Sequence, residues 1–194
     1  APGCCPVCRS RLRRLASPSC ARCGQPLDPW DGLRRGGRVT GSGAASCGFC
    51  ASWPPALEWA LSAVWLDHGP ARDLVHGLKY DGWRGAAGPM ADVLEREAAG
   101  RLGGVDVLVP VPLGRRRQRQ RGYNQAAVLA EALGERAGVR CAALLGRRRE
   151  TRTQTALGPR ERWTNVAGAF AADALVRGMR VALVDDVLTT GATL

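Results

Sequence analysis

The chain has 194 residues, 45% of them apolar, which suits one ordinary α/β domain with a small satellite and predicts a globular protein. Its 28 basic residues outnumber 17 acidic ones, and the formal charge of +11 favours anionic partners such as phosphates, nucleotides or nucleic acid. No apolar run approaches the roughly 20 residues of a membrane span, because Pro54, Pro55 and Glu58 interrupt the best candidate, and the N-terminus has no secretory h-region. A soluble, cytoplasmic protein with no membrane span is expected. Arginine abundance is weak evidence by itself: Lys79 is the one lysine, and the wealth of Arg, Ala and Gly reflects a GC-rich coding bias.

Residues 1–52 lack the periodic apolar pattern of a packed helix or sheet and are rich in Cys, Gly, Pro and Arg. Such a segment buries too little apolar surface to order itself and needs a staple. Six of the eight cysteines form three Cys-x-x-Cys pairs, which in a chain without an export signal favours metal over disulfides. Cys20 with Cys23, and Cys47 with Cys50, supply two tight turns that aim four thiolates at one ion. A closed four-sulfur shell predicts structural zinc. Cys5 and Cys8 have no obvious second half-site: either they join a rearranged six-thiol cluster or their partners precede residue 1. Ala1 in place of Met fits the second alternative. Cys4 adjoins Cys5 and is able to substitute for it, and Cys141 reads as an ordinary buried strand cysteine.

From residue 53 to 194 strands alternate with helices. Ser62–Asp67 and Val105–Val111 read as strands, and Gly69–Tyr80 and Gly88–Ala98 as helices. Asn124–Ala137 places Ala126, Leu129, Ala130, Leu133 and Ala137 on one helical face. Val139–Leu145 and Arg180–Asp186 are further strands. This order predicts a mainly parallel sheet with flanking helices, preceded by the small Cys-rich module.

The last strand carries the strongest functional signal. Val181–Val184 is a continuous apolar run, as expected of a strand buried on both faces. Asp185 and Asp186 stand at its carboxyl end, where open α/β sheets bind ligands. Thr189, Thr190, Gly191, Ala192 and Thr193 follow as a small-residue loop whose backbone N–H groups are able to curl around a phosphate. Carboxylates beside a phosphate cradle would repel the ligand unless it also offers sugar hydroxyls and travels with a divalent cation. A ribose 5-phosphate bearing a pyrophosphate does both.

Val181–Thr193 resembles the binding motif for phosphoribosyl pyrophosphate (PRPP) of type I phosphoribosyltransferases. That resemblance implies a fold of their kind, catalytic Asp185 and Asp186 on the ribose 2′- and 3′-hydroxyls, the Thr189–Thr193 loop on the 5-phosphate, and magnesium with the PRPP. Three further features, taken in order, resemble the ComF family, which is associated with DNA uptake: a Cys-rich double-zinc-ribbon start, the Leu78-Lys79-Tyr80 triplet, and Arg121-Gly122-Tyr123-Asn124-Gln125. The resemblance implies that Leu113, Gly114 and Arg115 approach the pyrophosphate. It also implies that Arg147–Asn165, with Thr153–Thr155, Arg160 and Arg162, is a closing loop that excludes water. Family members often carry another Cys-x-x-Cys before Cys5, and they continue past the phosphate loop, so both ends are expected to be incomplete.

Two functions follow as expectations. One is an enzyme transferring phosphoribosyl to an acceptor. The other is an accessory protein of DNA uptake, with PRPP or a nucleotide as regulatory ligand, whose zinc module and Arg clusters (Arg9–Arg14, Arg115–Arg121, Arg147–Arg152) contact single-stranded DNA or another nucleic acid. A competence-machinery protein is the expected partner if the zinc module is an adaptor. His68 and His76 have no metal-ligand spacing. Trp59, Trp65 and Trp83 are expected in the core, while Trp30 and Trp53, flanking the zinc module, are candidates for a partner surface.

Overall fold

A computed structural model describes residues 4–15, 18–27, 47–51, 53–67, 69–98, 100–149, 164–189 and 191. The α-helices bounded within the described residues are, in chain order, α1 (Pro6–Ser10), α2 (Pro70–Tyr80), α3 (Ala87–Glu97), α4 (Arg115–Arg121) and α5 (Gln125–Ala137). The strands among the described residues are β1 (Val107–Pro110), β2 (Leu145–Arg147), β3 (Phe170–Ala172) and β4 (Val181–Val184). The structure is mixed α/β with parallel pairing at its centre, as the alternation of elements predicts.

β1 is the middle strand. It pairs in parallel with β4, from Val107 opposite Val181 to Pro110 opposite Val184. On its other side it forms a parallel bridge from Leu108 to Cys141. β2 and β3 form a separate antiparallel pair. All four residues of β1 are buried, which explains its unbroken apolar run. β4 departs from expectation: Val184 is buried, but Leu183 is 36% exposed and Val181 and Ala182 are half-buried. β1 covers one edge of β4, while the strand itself borders an open cavity of about 980 Å³, lined also by Trp59, Met90 and Val176.

The helices follow their sequence signals closely. Pro70 opens α2, where its missing N–H costs nothing, and the helix buries Ala71, Leu74, Gly77 and Leu78 along one stripe. Asn124 caps α5 by accepting from the Ala126 amide at 3.1 Å. Leu129, Ala130 and Leu133 of α5 then pack with Leu108, Val184 and Ala91 in the main core.

Ser62–Asp67 is not a strand. Its one ladder contact is an antiparallel bridge from Val64 to Arg14, with Trp65 N–H donating to the Arg13 carbonyl at 2.8 Å. A short apolar run makes a strand only where a partner is available, and among the described residues the neighbour pairs with it at Arg14 alone. Val139–Leu145 is also interrupted: Cys141 bridges, and regular pairing resumes only at Leu145. Cys141 is half-buried rather than fully enclosed. No described helix is long and apolar enough to cross a membrane.

Candidate functional site

The parallel register brings two loops to one edge of the sheet. Because Pro110 lies opposite Val184, the chain leaving β1 through Leu113, Gly114 and Arg115 and the chain leaving β4 through Asp185 and Asp186 emerge side by side. Gly114 is buried and sits at the N-terminus of α4, while Arg115 is exposed. Of the small-residue loop, Thr189 is exposed and Gly191 is buried with φ of +74°, a conformation that favours glycine. Thr190, Ala192 and Thr193 lie outside the described residues.

The two carboxylates have different surroundings. Asp185 Oδ1 accepts from the Asp186 N–H at 2.9 Å. Burial, then the neighbouring Asp186 carboxylate, push the Asp185 carboxyl up from 3.8 to about 8. The Asp186 side chain is only 4% exposed, and its Oδ2 lies 2.7 Å from Lys79 Nζ. That oxygen has no well-directed hydrogen bond, so the contact with Lys79 is one of charge. At neutral pH the cluster therefore contains one protonated acid and one ion pair, close to zero net charge. An anion can approach these aspartates without meeting two bare negative charges.

Lys79 was not among the residues picked from the sequence for this site. Its signal was its singularity, one lysine in a chain that otherwise uses arginine. Its position is fixed by α2, and α2 is tied to the start of α5 because the Tyr123 hydroxyl donates to the Leu78 carbonyl. Asn124, next along, donates to the Val111 carbonyl at 3.0 Å and so anchors the end of β1. The Leu78-Lys79-Tyr80 triplet, the Arg121–Gln125 segment and the Asp185-Asp186 pair are thus one connected structure. Tyr123 and Asn124 set the helix entry.

A second site lies in the Cys-rich region. Cys20, Cys23, Cys47 and Cys50 place all four sulfurs within 4.8 Å of one another. Three separations are 3.7 Å (Cys20 to Cys50), 3.3 Å (Cys23 to Cys47) and 3.9 Å (Cys47 to Cys50). A tetrahedron with zinc–sulfur bonds of about 2.3 Å has edges of about 3.8 Å, so the sulfurs already stand where a zinc ion needs them. Burial would raise the Cys20 thiol, but N–H groups of Cys23, Arg22 and Cys47 donate to its sulfur and hold it down at about 6. Burial raises Cys23 and Cys50. One thiolate is ready, and Cys23 and Cys50 need the ion to drive off their protons.

Cys5 and Cys8 stand apart from this cluster, so no six-thiol arrangement is present among the described residues. Cys5 caps α1, its sulfur accepting from the Cys8 N–H at 3.4 Å. Cys4 packs instead near Tyr123 and Leu78.

Two tryptophan expectations are corrected. Trp53 is no partner surface: it is 4% exposed and packs on Cys20, Cys23 and Cys50. Trp65 is 39% exposed rather than in the core, because the segment holding it is not a sheet strand. Trp59 and Trp83 are half-buried. His76 pairs with Asp81 at 3.1 Å on the surface. His68, Trp30, Thr153–Thr155, Arg160 and Arg162 lie outside the described residues.

Among curated proteins the chain is similar to the DNA utilization protein YhgH of Salmonella typhi, 34% identical over 98% of this chain and 80% of the relative. It is 28% identical to Competence protein F of Haemophilus influenzae, over 99% of this chain and 81% of that one. With Competence protein ComFC of Bacillus subtilis it shares 26% identity over 98% and 74%. No family model and no solved structure matches.

Proposed function

Since the chain belongs to the ComF family of competence and DNA-utilization proteins, we propose that it binds PRPP at the carboxyl edge of β1 and β4, on a fold of the type I phosphoribosyltransferase kind. The observation that carries this reading is the acidic pair at the end of β4, opposite the Leu113–Arg115 turn and neutralised by Lys79.

In this reading Asp185 and Asp186 bind the ribose hydroxyls, the Thr189–Thr193 loop donates N–H groups to the 5-phosphate, and Leu113–Arg115 meets the pyrophosphate. Asp186 accepts from a hydroxyl. Asp185, protonated near neutrality, is able to donate as well as accept. Lys79 keeps the pair from repelling the incoming anion. Magnesium, when bound with PRPP, supplies neutralisation of the pyrophosphate. With Asp186 already paired, these residues suit an ion held chiefly by the ligand and water, as is usual for magnesium on phosphates. Transfer would break the C1–pyrophosphate bond as an acceptor attacks C1, and the chain's contribution would be positioning and electrostatics.

The test is calorimetric titration of PRPP and magnesium into the metal-loaded protein, beside Asp185→Asn with Asp186→Asn, and beside Lys79→Met. Saturable binding by the parent is expected. The double variant should lose it, and Lys79→Met should weaken it about tenfold or more, the scale of one charge-assisted contact. A folded parent that gives no heat with PRPP would end this reading.

A second reading has one observation in its favour. α4 carries five arginines in seven positions, with no buried residue and no acid in its first turn. Such a helix suits a nucleic-acid backbone.

A further inference from the structure

Trp53 touches both sites. Its ring packs on Cys20, Cys23 and Cys50 and meets Phe49 edge-on, with centroids 5.6 Å apart. Arg22 fastens the same segment, donating to the carbonyls of Cys50 at 3.0 Å, Trp53 at 3.3 Å and Pro54 at 2.8 Å. The Nε1–Cζ2 edge of the indole faces Gly191. A Cβ on Gly191 would fall 2.9 Å from Trp53 Nε1 and 3.0 Å from Cε2 and Cζ2. Glycine is therefore required there twice over, for its positive φ and for the indole pressed against it. On that same edge the indole N–H is buried without a hydrogen-bond partner. Such a donor is costly to leave unpaired and points to an acceptor that arrives later.

We propose that Trp53 is a positioning residue shared by the cysteine cluster and the Gly191 loop, so that metal in the cluster and an anion in the loop favour one another. The anion half rests on reading the loop as a phosphate cradle. The mechanical half does not. Metal fixes Cys50 and hence Trp53, the indole edge sets the path of the loop at Gly191, and the N–H is offered to the loop or to what it holds. Thermodynamic reciprocity then requires that a change at the loop be felt at the metal.

The experiment measures zinc release from the full, zinc-loaded chain to a chromogenic chelator, with no PRPP present. Gly191→Ala is compared with Gly178→Ala, whose glycine has the same φ of +74° but nothing within 4 Å of its Cβ position. The two share the backbone strain and differ in the clash with Trp53. Gly191→Ala should accelerate zinc release about fivefold or more relative to Gly178→Ala, the lower end of ordinary coupling. Equal release from both variants would overturn the proposal.

A second arm adds PRPP and magnesium. Zinc release should slow in the parent, and Trp53→Phe, which keeps the ring and removes the N–H, should lose that protection while still binding zinc. Protection undiminished in Trp53→Phe would overturn the role of the N–H. If PRPP fails to bind while Gly191→Ala still loosens zinc, the ligand reading falls and the mechanical coupling stands.

Discussion

Asp185 is the residue whose environment makes the most direct claim on solution behaviour. Its carboxyl is raised from 3.8 to about 8, first by burial and then by Asp186, with Lys79 opposing. Between those values the folded chain holds a proton that the unfolded chain has released. Native protein then binds more protons than unfolded protein, so this residue makes stability fall as pH rises across that window. The unliganded protein should melt several degrees lower near pH 8 than near pH 5, an effect that thermal unfolding of Asp185→Asn, which has no proton to lose, should largely remove. The same slope in both proteins would show that the dependence arises elsewhere. The comparison also bears on the PRPP site proposed above, because a protonated Asp185 would let the pair present little negative charge to such a ligand.

At the scale of elements, α5 shows how a short signal positions a site. Asn124 does two things at once: its Oδ1 accepts from Ala126 N–H at 3.1 Å and its Nδ2 donates to the Val111 carbonyl at 3.0 Å. Asn124→Ala loses both and should cost about 0.5–2 kcal/mol, a fall of a few degrees in melting temperature. Asn124→Asp keeps the cap and loses the donor, so it should fall between, and a full loss in Asn124→Asp would assign the whole effect to the Val111 contact. This helix was readable because capping and 3.6-residue periodicity are local. So was the four-cysteine cluster, because each Cys-x-x-Cys turn is its own half-site. Ser62–Asp67 was misread because a strand needs a partner and the pattern within one segment does not say whether one exists. Lys79 was passed over for the site, and Trp53 was placed on a partner surface instead of in the core, for a related reason. Each acts on a residue more than a hundred positions away, Asp186 and Gly191, and no spacing in the chain records that meeting.

For the whole molecule the question is where a charge of +11 is available to a partner. The first arginine cluster is largely engaged within the fold: Arg9 with Asp92 at 3.2 Å, Arg13 with Asp67 at 2.6 Å and Arg14 with Glu97 at 2.7 Å. These are partly exposed pairs, each a small term in stability. They join the cysteine-rich region to α3 and to residues near α2, and they partly satisfy cations that a nucleic acid would otherwise neutralise. α4 adds exposed arginines, among them Arg115 and Arg119, where the chain leaves the Leu113–Arg115 turn. If single-stranded DNA binds this protein, α4 should carry more of the salt dependence than the N-terminal cluster. Each phosphate contact contributes a slope of about 0.7 in log affinity against log salt on a single strand. Arg115→Gln with Arg119→Gln should therefore flatten the slope by roughly 1.4. Arg9→Gln with Arg13→Gln should change it by much less, since those guanidiniums already face carboxylates. Fluorescence anisotropy with a labelled oligonucleotide across a salt series decides between them. Equal slopes for the two double variants would remove α4 from the interface, and a slope near zero in the parent would remove nucleic-acid phosphates as the reason for the charge.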